Sequence, residues 1–314
     1  MIKKIILTSL FFMLFVLTSC MNTLDPLYTD NEPIIIEMKN NDLKILQLTD
    51  LHLTYGIDYN DRQTYKAIED LVLADDWDLV IFTGDIVMSP LAVPLFRHLV
   101  NLMESLEVPW TFILGNHDRD YHSAARLLSV IENTHYLKFK TGPELEGGGV
   151  GNFKITFTKD DQPFYHLYFL DTKIETNHPD RTSKYDFLSE AQVNWYEDFV
   201  SNDTVPNSVF MHTPLIQFEL VNNYIGTFGE PVHPQGLDTG FVDKAVIYGL
   251  TQGIFVGHDH DNDFSFIHEG IMLAYGRYTG YNAYGFLELG GRVIHIDETQ
   301  SMTSWIITLS KVRP

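Results

Sequence analysis

The ten residues Leu43–His52, LKILQLTDLH, join a short apolar run to a polar end in which Asp50 and His52 flank a leucine. A run of four to eight residues rich in Ile and Leu is typical of a buried strand. The Asp-x-His pair places two metal-ligating types of side chain close together on an extended or turning backbone. The stretch therefore predicts a strand that presents polar side chains at its carboxyl end.

The same pattern recurs along the chain. Other apolar runs end at Gly84-Asp85, at Gly115-Asn116-His117-Asp118, at His212 and at Gly257-His258-Asp259-His260. In open α/β sheets, ligands bind in the crevice at the carboxyl ends of the strands. Five strands are thus expected to bring carboxylates, an amide oxygen and imidazoles together, and these donors suit borderline divalent metals.

Taken singly, each of these fragments also fits an ordinary structural role. An Asp after a strand is more often a helix N-cap, and a lone buried His is more often a hydrogen-bonded core residue. The metal-site interpretation depends on the whole set, together with glycines that let the backbone approach a metal closely.

Helical patterns separate the early strands, and strands are denser later in the chain. Ser189 with Gln192 fits a capping box at the start of one helix. Strands are also expected on both sides of the Gly147–Gly149 run, at 136–140 and 153–158, with the glycines as a hairpin loop. Early alternation of strands and helices predicts an α/β layered sandwich. The predicted helices are Arg62–Ala74, Pro94–Leu106, Tyr121–Glu132 and Ser189–Val200.

The composition limits the partners. The chain has 314 residues, 42 acidic against 21 basic side chains and a net charge of −21. Such an acidic surface repels phosphate backbones, so nucleic acid is not an expected partner. A phosphorylated small molecule remains compatible if bound metal charge overrides the field locally.

The N-terminus is expected to be a targeting segment. Lys3 and Lys4 precede an apolar stretch at 5–17, and Leu17-Thr18-Ser19-Cys20 resembles a bacterial lipobox. Residues 1–19 would be a lipoprotein signal peptide, 20–40 a tether leading into a first edge strand, and 41–314 the folded domain. The protein would be exported and lipid-anchored to a membrane of the bacterial cell envelope through Cys20. An ordinary signal peptide or an uncleaved anchor is the alternative.

The ordered set Asp-x-His, Gly-Asp, Gly-Asn-His-Asp, His and Gly-His-x-His resembles the calcineurin-like metallophosphoesterase superfamily over about residues 43–290. The segments Gly257–Phe264, GHDHDNDF, and Tyr275–Tyr281, YGRYTGY, are similar to the purple-acid-phosphatase-related branch. One position departs from that branch. Purple enzymes place a Tyr ligand three residues after the bridging Asp, and this chain has Met88 there, so a Tyr-bound ferric ion is not expected.

The resemblance implies a fold, an activity and a ligand set. The fold would be a four-layer α/β/β/α sandwich with mixed sheets. The activity would be hydrolysis of a phosphate monoester of a small molecule by a hydroxide bound to two divalent metal ions, which could be Mn, Zn or Fe. One metal would be held by Asp50, His52 and His260, and the other by Asn116, His212 and His258, with Asp85 bridging both. His117 would donate a proton to the leaving oxygen or clamp the phosphate.

Several alternatives stay open. Asp118 is expected either to orient the His117 ring or to cap a helix, and Arg277 either to contact the substrate phosphate or to form a structural ion pair. The loop 214–240, which carries Glu230 and His233, is long enough to set specificity but indicates no substrate. A phosphodiesterase acting on cyclic nucleotides or phospholipid-type diesters could use the same ligands. A non-catalytic surface binding protein is the alternative of a different class.

Overall fold

The computed structural model describes residues 26–313, so Cys20 and the predicted signal peptide lie outside the described residues. Within these described residues, twelve strands form two sheets. The strands are β1 Ile34–Glu37, β2 Leu43–Leu48, β3 Leu79–Thr83, β4 Trp110–Ile113, β5 Phe153–Lys159, β6 Gln162–Phe169, β7 Asn207–Phe210, β8 Thr251–Val256, β9 Ser265–His268, β10 Ile271–Tyr275, β11 Gly290–Ile296 and β12 Met302–Thr308.

One sheet has seven strands in the order β1-β5-β6-β7-β8-β10-β9, and the other has five in the order β12-β11-β2-β3-β4. Strands β2, β3 and β4 run parallel, as do β6, β7, β8 and β10. Both sheets also contain antiparallel pairs, such as β11 with β2 and β5 with β6. The expectation of mixed sheets is therefore confirmed.

The helices cover the outer faces of the two sheets. Those of residues 26–313 are α1 Tyr59–Val72, α2 Ala92–Leu106, α3 Ala124–Leu128, α4 Glu190–Val200, α5 Phe241–Tyr248 and α6 Leu309–Val312, with short 3-10 turns at His117–Arg119 and Ile216–Leu220. None of the helices in the described part of the chain is both long and apolar enough to cross a bilayer.

Three apolar clusters define the layers. Because side chains alternate across a strand, Leu46 and Leu48 of β2 pack under α1 and α2, whereas Leu43 and Ile45 pack between the sheets. A third cluster joins the opposite face of the seven-stranded sheet to α4 and α5. This arrangement is the predicted four-layer α/β/β/α sandwich.

The sheets also meet through a buried polar contact near their strand ends. The side-chain amide of Gln47 donates to the carbonyl of Val256 at 3.0 Å and to the hydroxyl of Thr83 at 2.9 Å. Gln47 is fully buried, and these bonds satisfy both N–H donors of its amide, which would otherwise cost free energy in the core. The contact brings the carboxyl ends of β2, β3 and β8 together.

Helix starts follow their capping residues. The Ser189 and Gln192 capping box is present at α4, as predicted. Helix α1 begins three residues earlier than predicted, because the Asp58 side chain accepts from the backbone N–H of Asp61. Helix α3 is shorter than the predicted 121–132, since the N–H groups of Val130 and Ile131 bond carbonyls three residues back and end the helical pattern.

The hairpin predicted around Gly147–Gly149 is wrong. Within 136–140, Leu137 makes an isolated bridge to Trp110, and no strand forms there. The Glu104 carboxylate accepts from the backbone N–H groups of His135, Tyr136 and Leu137. A side chain therefore takes the donors that a strand ladder would have used.

Strand β1 lies inside the segment 20–40 that was predicted as a tether. It pairs in parallel with β5 and forms one edge of the seven-stranded sheet. Asn31, which precedes β1, accepts a hydrogen bond from the side chain of Trp195 on α4 at 2.6 Å. The folded part of the chain therefore begins earlier than residue 41.

Candidate metal centre

The predicted ligands follow strand ends where the backbone turns sharply. Four of them have positive φ: Asp50 (54°), His52 (46°), Asp85 (49°) and His258 (81°). Residues other than Gly rarely adopt positive φ, and among them Asp, Asn and His tolerate it best. Strained conformations of this kind concentrate at functional sites, where they aim side chains that a regular strand could not.

Two glycines allow the strand ends to approach each other. A Cβ on Gly84, whose φ is +93°, would lie 2.5 Å from Nδ1 of His212, and a Cβ on Gly115 would collide with the Asp85 carboxylate. Their lack of a side chain is therefore a steric requirement of the ligand cluster.

The first predicted group of ligands is assembled. Nε2 of His52 and Nε2 of His260 lie 3.1 Å apart, and Oδ1 of Asp50 lies 3.5 Å from Nε2 of His260. One donor atom from each of the three residues falls within 4.8 Å of the others, and all three side chains are buried. Imidazole nitrogens and a carboxylate oxygen facing one point fit a divalent cation.

The second group lies beside the first. Nε2 of His212 is 3.1 Å from Oδ1 of Asn116 and 3.3 Å from Nδ1 of His258. Oδ2 of Asp85 lies 3.3 Å from Nε2 of His212 and also 3.6 Å from Nε2 of His52, in the first group. The Asp85 carboxylate therefore stands between the two groups, where the predicted bridge belongs.

Hydrogen bonds outside the cluster set the ring orientations. Nδ1 of His212 donates to the carbonyl of Thr83 at 2.8 Å, and Nδ1 of His260 donates to the carbonyl of Tyr284 at 2.9 Å. In both rings Nδ1 is engaged by a carbonyl outside the cluster, so Nε2 is the nitrogen that faces the cluster. Metal-binding histidines commonly use their second nitrogen in this way, so the donor set fits two divalent ions.

The protonation states also fit. Burial lowers the pKa of His52 and that of His258 to about 4, so these imidazoles are neutral near pH 7. Burial alone would raise the pKa of Asp85, but the neighbouring His212 and His52 hold it well below its usual value. Burial alone would lower the pKa of His212, but the neighbouring charge of Asp85 raises it to about 10. The carboxylates therefore give the cluster a negative potential that favours cations.

His117 lies at the edge of the cluster, with its side chain partly exposed. Its Nδ1 bonds Oδ2 of Asp120 at 2.8 Å, and its backbone N–H donates to Oδ1 of Asp85 at 2.8 Å. The ring therefore has a carboxylate on one nitrogen and the cleft available to the other.

The prediction that Asp118 orients the His117 ring is wrong, because Asp120 makes that contact. Asp118 is buried and accepts from the backbone N–H groups of Val87 and Gly115 at 2.8 and 2.7 Å. It braces the loops after β3 and β4. Burial, and then the charge of Asp85, raise the pKa of Asp118 to about 7.

Arg277, predicted as a substrate contact, is bound inside the fold instead. Its guanidinium donates to Oδ2 of Asp263 and to the carbonyl of Glu288, and its residue surface is 8% exposed. The structural ion pair, which was the alternative interpretation, is the one that forms. The predicted substrate role is not supported, because the cleft wall does not include Arg277.

A cleft of about 360 Å³ opens over the cluster. Sequence reasoning missed several of its wall residues, because they belong to loops without a periodic pattern. Tyr284 stacks on the ring of His260, with 4.0 Å between ring centroids, and Tyr185 meets His258 edge-on at 4.3 Å. Met88, Asn282 and His233 also line the cleft.

Comparisons with known proteins show which family and which structures this chain resembles. A family model described as calcineurin-like phosphoesterase matches residues 43–262. A relative in Arabidopsis thaliana named probable inactive purple acid phosphatase 14 is 28% identical over 295 residues, which cover 80% of this chain and 73% of the relative. A probable cyclic nucleotide phosphodiesterase of Xenorhabdus bovienii is 25% identical over 198 residues, covering 58% of this chain and 70% of the relative.

Solved structures share the fold at low sequence identity. A dimetal phosphatase from Danio rerio superposes with a TM-score of 0.57 and 13% identity, covering 85% of this chain and 98% of that one. Purple acid phosphatase from yellow lupin seeds gives a TM-score of 0.51 and 10% identity, covering 87% of this chain and 55% of that one. At these identities the likeness concerns the fold.

Proposed function

The chain belongs to the calcineurin-like phosphoesterase family, and from this membership we propose that it hydrolyses phosphate monoesters in the cleft above the cluster. The observation that carries the proposal is the complete donor set, in which Asp85 stands between two groups of buried ligands. One cation would be held by Asp50, His52 and His260, and the other by Asn116, His212 and His258.

The bound cations would supply positive charge for a phosphate and would lower the pKa of water at the site. The chain itself supplies little positive charge there, since none of the described residues lining the cleft is Lys or Arg. Substrate binding would therefore depend on the cations, and the metal-free protein would bind phosphate esters poorly. We propose Mn, Zn or Fe as the cations.

His117 is the proposed proton donor to the leaving oxygen. Asp120 holds Nδ1 of its ring, so Nε2 is the nitrogen available to the cleft. The backbone N–H of His117 bonds Asp85, which fixes the main chain at His117 beside the proposed bridging ligand. General acid catalysis needs this kind of fixed proton donor within hydrogen-bonding reach of the leaving group.

The word inactive in the names of the Arabidopsis relatives makes a non-catalytic binding protein the contrasting hypothesis. The presence of all seven donors and of His117 in this chain supports turnover. Met88 lines the cleft at the position where the purple branch has a Tyr ligand. This position therefore offers a thioether and not the phenolate that a Tyr-bound ferric ion needs. All seven predicted donors are present despite this difference.

Diester hydrolysis is the second candidate, because the Xenorhabdus relative is named a probable cyclic nucleotide phosphodiesterase. The test is an assay of p-nitrophenyl phosphate and its bis-ester with Mn, Zn, Fe, Co or Ni added. Metal-dependent turnover with a preference for the monoester is expected, and a preference for the bis-ester would support the second candidate. The enzyme proposal would be wrong if neither ester showed metal-dependent turnover and Asp85→Ala had no effect on the measured rates.

Export and tethering through Cys20 are part of the proposal, on the strength of the lipobox resemblance. The acylated thiol would hold the cleft near a membrane surface, where phosphorylated small molecules outside the cytoplasm would reach it. Metabolic labelling with a palmitate analogue should mark the wild type and leave Cys20→Ser unlabelled. Label that persists in Cys20→Ser would contradict the anchor.

A further inference from the structure

His233 lies in the wall of the cleft but is not one of the seven predicted ligands. Its loop passes over the ligand segment that follows β8. Donor atoms of Glu230, His233 and Asp259 lie within 4.8 Å of one another, which is close enough for an ion. The hydrogen bonds around Asp259 indicate a different role for this group.

Asp259 is fully engaged by donors of the protein. Oδ1 accepts from Nδ1 of His233 at 2.7 Å, and Oδ2 accepts from the backbone N–H of His233 at 3.1 Å and from the hydroxyl of Tyr275 at 2.7 Å. The carboxylate is 1% exposed, whereas the His233 side chain is 49% exposed. A buried carboxylate with three donors serves to position a histidine, much as such partners do in metal and catalytic sites.

The orientation of the ring follows from that contact. A carboxylate only accepts, so the proton of the His233 imidazole lies on Nδ1 and Nε2 is left without a partner in the described residues. The hydrogen bond to Asp259 raises the pKa of His233, against burial, with added effects of the charges of Asp259 and Glu230 and an opposing effect of Lys184. The charged form, in which Nε2 also donates, is thereby favoured.

The loop that carries His233 is fixed on both sides. The Asn262 side chain accepts from the N–H groups of Gly229 and Glu230 at 3.0 and 3.2 Å. After His233, the Gln235 side chain accepts from the N–H of Leu188 at 2.9 Å and donates to the carbonyl of Thr213 at 3.0 Å. The ring is therefore held at a defined place in the cleft wall.

We propose that His233 is a specificity-determining residue that donates from Nε2 to an unesterified oxygen of the substrate and so favours phosphate monoesters over diesters. This inference rests on the proposed function. A monoester has three unesterified oxygens and roughly two negative charges at neutral pH, whereas a diester has two such oxygens and one charge. The described residues of the cleft wall include no Lys or Arg, so the His233 ring, whose hydrogen bond to Asp259 favours its charged form, can meet the additional oxygen and charge.

The test compares His233→Ala with the wild type on p-nitrophenyl phosphate and its bis-ester, which share a leaving group. The ratio of kcat/KM for the monoester to kcat/KM for the diester should fall by about 10- to 100-fold, the range for loss of a hydrogen bond to a charged group. His135→Ala is the control, because His135 is exposed beside the amino end of β4.

A ratio within about twofold of the wild-type value would overturn the inference, since a lost charge-assisted bond is worth more than that. A drop in bound metal in His233→Ala would also overturn it and assign the group to a third cation. If His233→Ala does not fold, His233→Phe keeps a ring without a donor and is judged by the same ratio. Failure of the proposed function looks different, because the wild type would then turn over neither ester.

Discussion

Asp85 links the predicted metal site to His117 through the two oxygens of one carboxylate. Oδ1 accepts from the backbone N–H of His117 at 2.8 Å, while Oδ2 lies 3.3 Å from Nε2 of His212 and 3.6 Å from Nε2 of His52. The bond to His117 uses a backbone group, so it survives any change of the His117 side chain. Metal retention and proton donation can therefore be separated by mutation.

Asp85→Ala should cost the protein its metals. Both predicted groups lose the oxygen they share, so bound metal should fall from about two ions per chain to below about one. Inductively coupled plasma mass spectrometry after desalting measures this content. Asp198→Ala, at an exposed position of α4, is the matched control and should keep the wild-type content. Unchanged metal in Asp85→Ala would remove the bridge from the proposal.

His117→Ala should slow turnover without releasing metal. Loss of a general acid lowers kcat by about 10²- to 10⁴-fold, and the backbone N–H that bonds Asp85 remains in place. Asp120→Asn should give a smaller loss, because it only weakens the orientation of the ring. Steady-state kinetics and metal analysis on the same samples check both parts. If kcat stays near the wild-type value in His117→Ala, another group donates the proton.

Arg277→Met should destabilise the fold and leave KM for the monoester near its wild-type value. Breaking a buried ion pair by removing one partner costs about 3–5 kcal/mol, since the buried Asp263 carboxylate loses its counterion and keeps the backbone N–H of Thr227 as a donor. Urea unfolding measures this cost. Removing Asp263 as well, in Arg277→Met/Asp263→Leu, should restore part of the stability. A KM that rises severalfold with unchanged stability would instead return Arg277 to the substrate site.

His166 should make the protein less stable as the pH falls. Burial, and then the charge of Lys154, lower its pKa from 6.5 to about 4 in the folded chain, while Asp203 partly opposes them. Between these values the unfolded chain binds the proton more readily, so the free energy of unfolding falls by roughly 2–3 kcal/mol from about pH 7 to about pH 4.5.

Urea unfolding of the wild type and of His166→Gln at both pH values isolates this contribution. The variant should show a shallower loss, because a glutamine at this position does not titrate. Parallel losses in the two proteins would mean that His166 keeps its ordinary pKa in the folded state.

The seven donors could be predicted from sequence because each follows a buried strand, and parallel strands end at one edge. The end of an apolar run shows that residues such as Asp50 and His258 follow a strand, which is enough to place them at the shared edge. It does not fix what a polar neighbour contacts. Asp118 and Asp120 are both close to His117 in sequence, and the 3-10 turn at His117–Arg119 decides which of them meets the ring.

The contacts that loop residues make were beyond prediction for a related reason. His233 and Tyr284 reach the cleft through hydrogen bonds to Asp259 and Glu230 that bridge distant parts of the chain. Sequence periodicity carries no information about such contacts. The strand expected at 136–140 failed similarly, because the Glu104 side chain satisfied its donors.

Each of the two ligand groups draws donors from both sheets. Asp50 and His52 follow β2 of the five-stranded sheet, while His260 follows β8 of the seven-stranded sheet, and His52 and His260 are 208 residues apart in the chain. A cation held by these side chains would act as a cross-link that closes a long loop, much as a disulfide does in an oxidising compartment. A chelator should therefore loosen the rim where the sheets converge, and amide hydrogens there should exchange sooner than those at the centre of the strands.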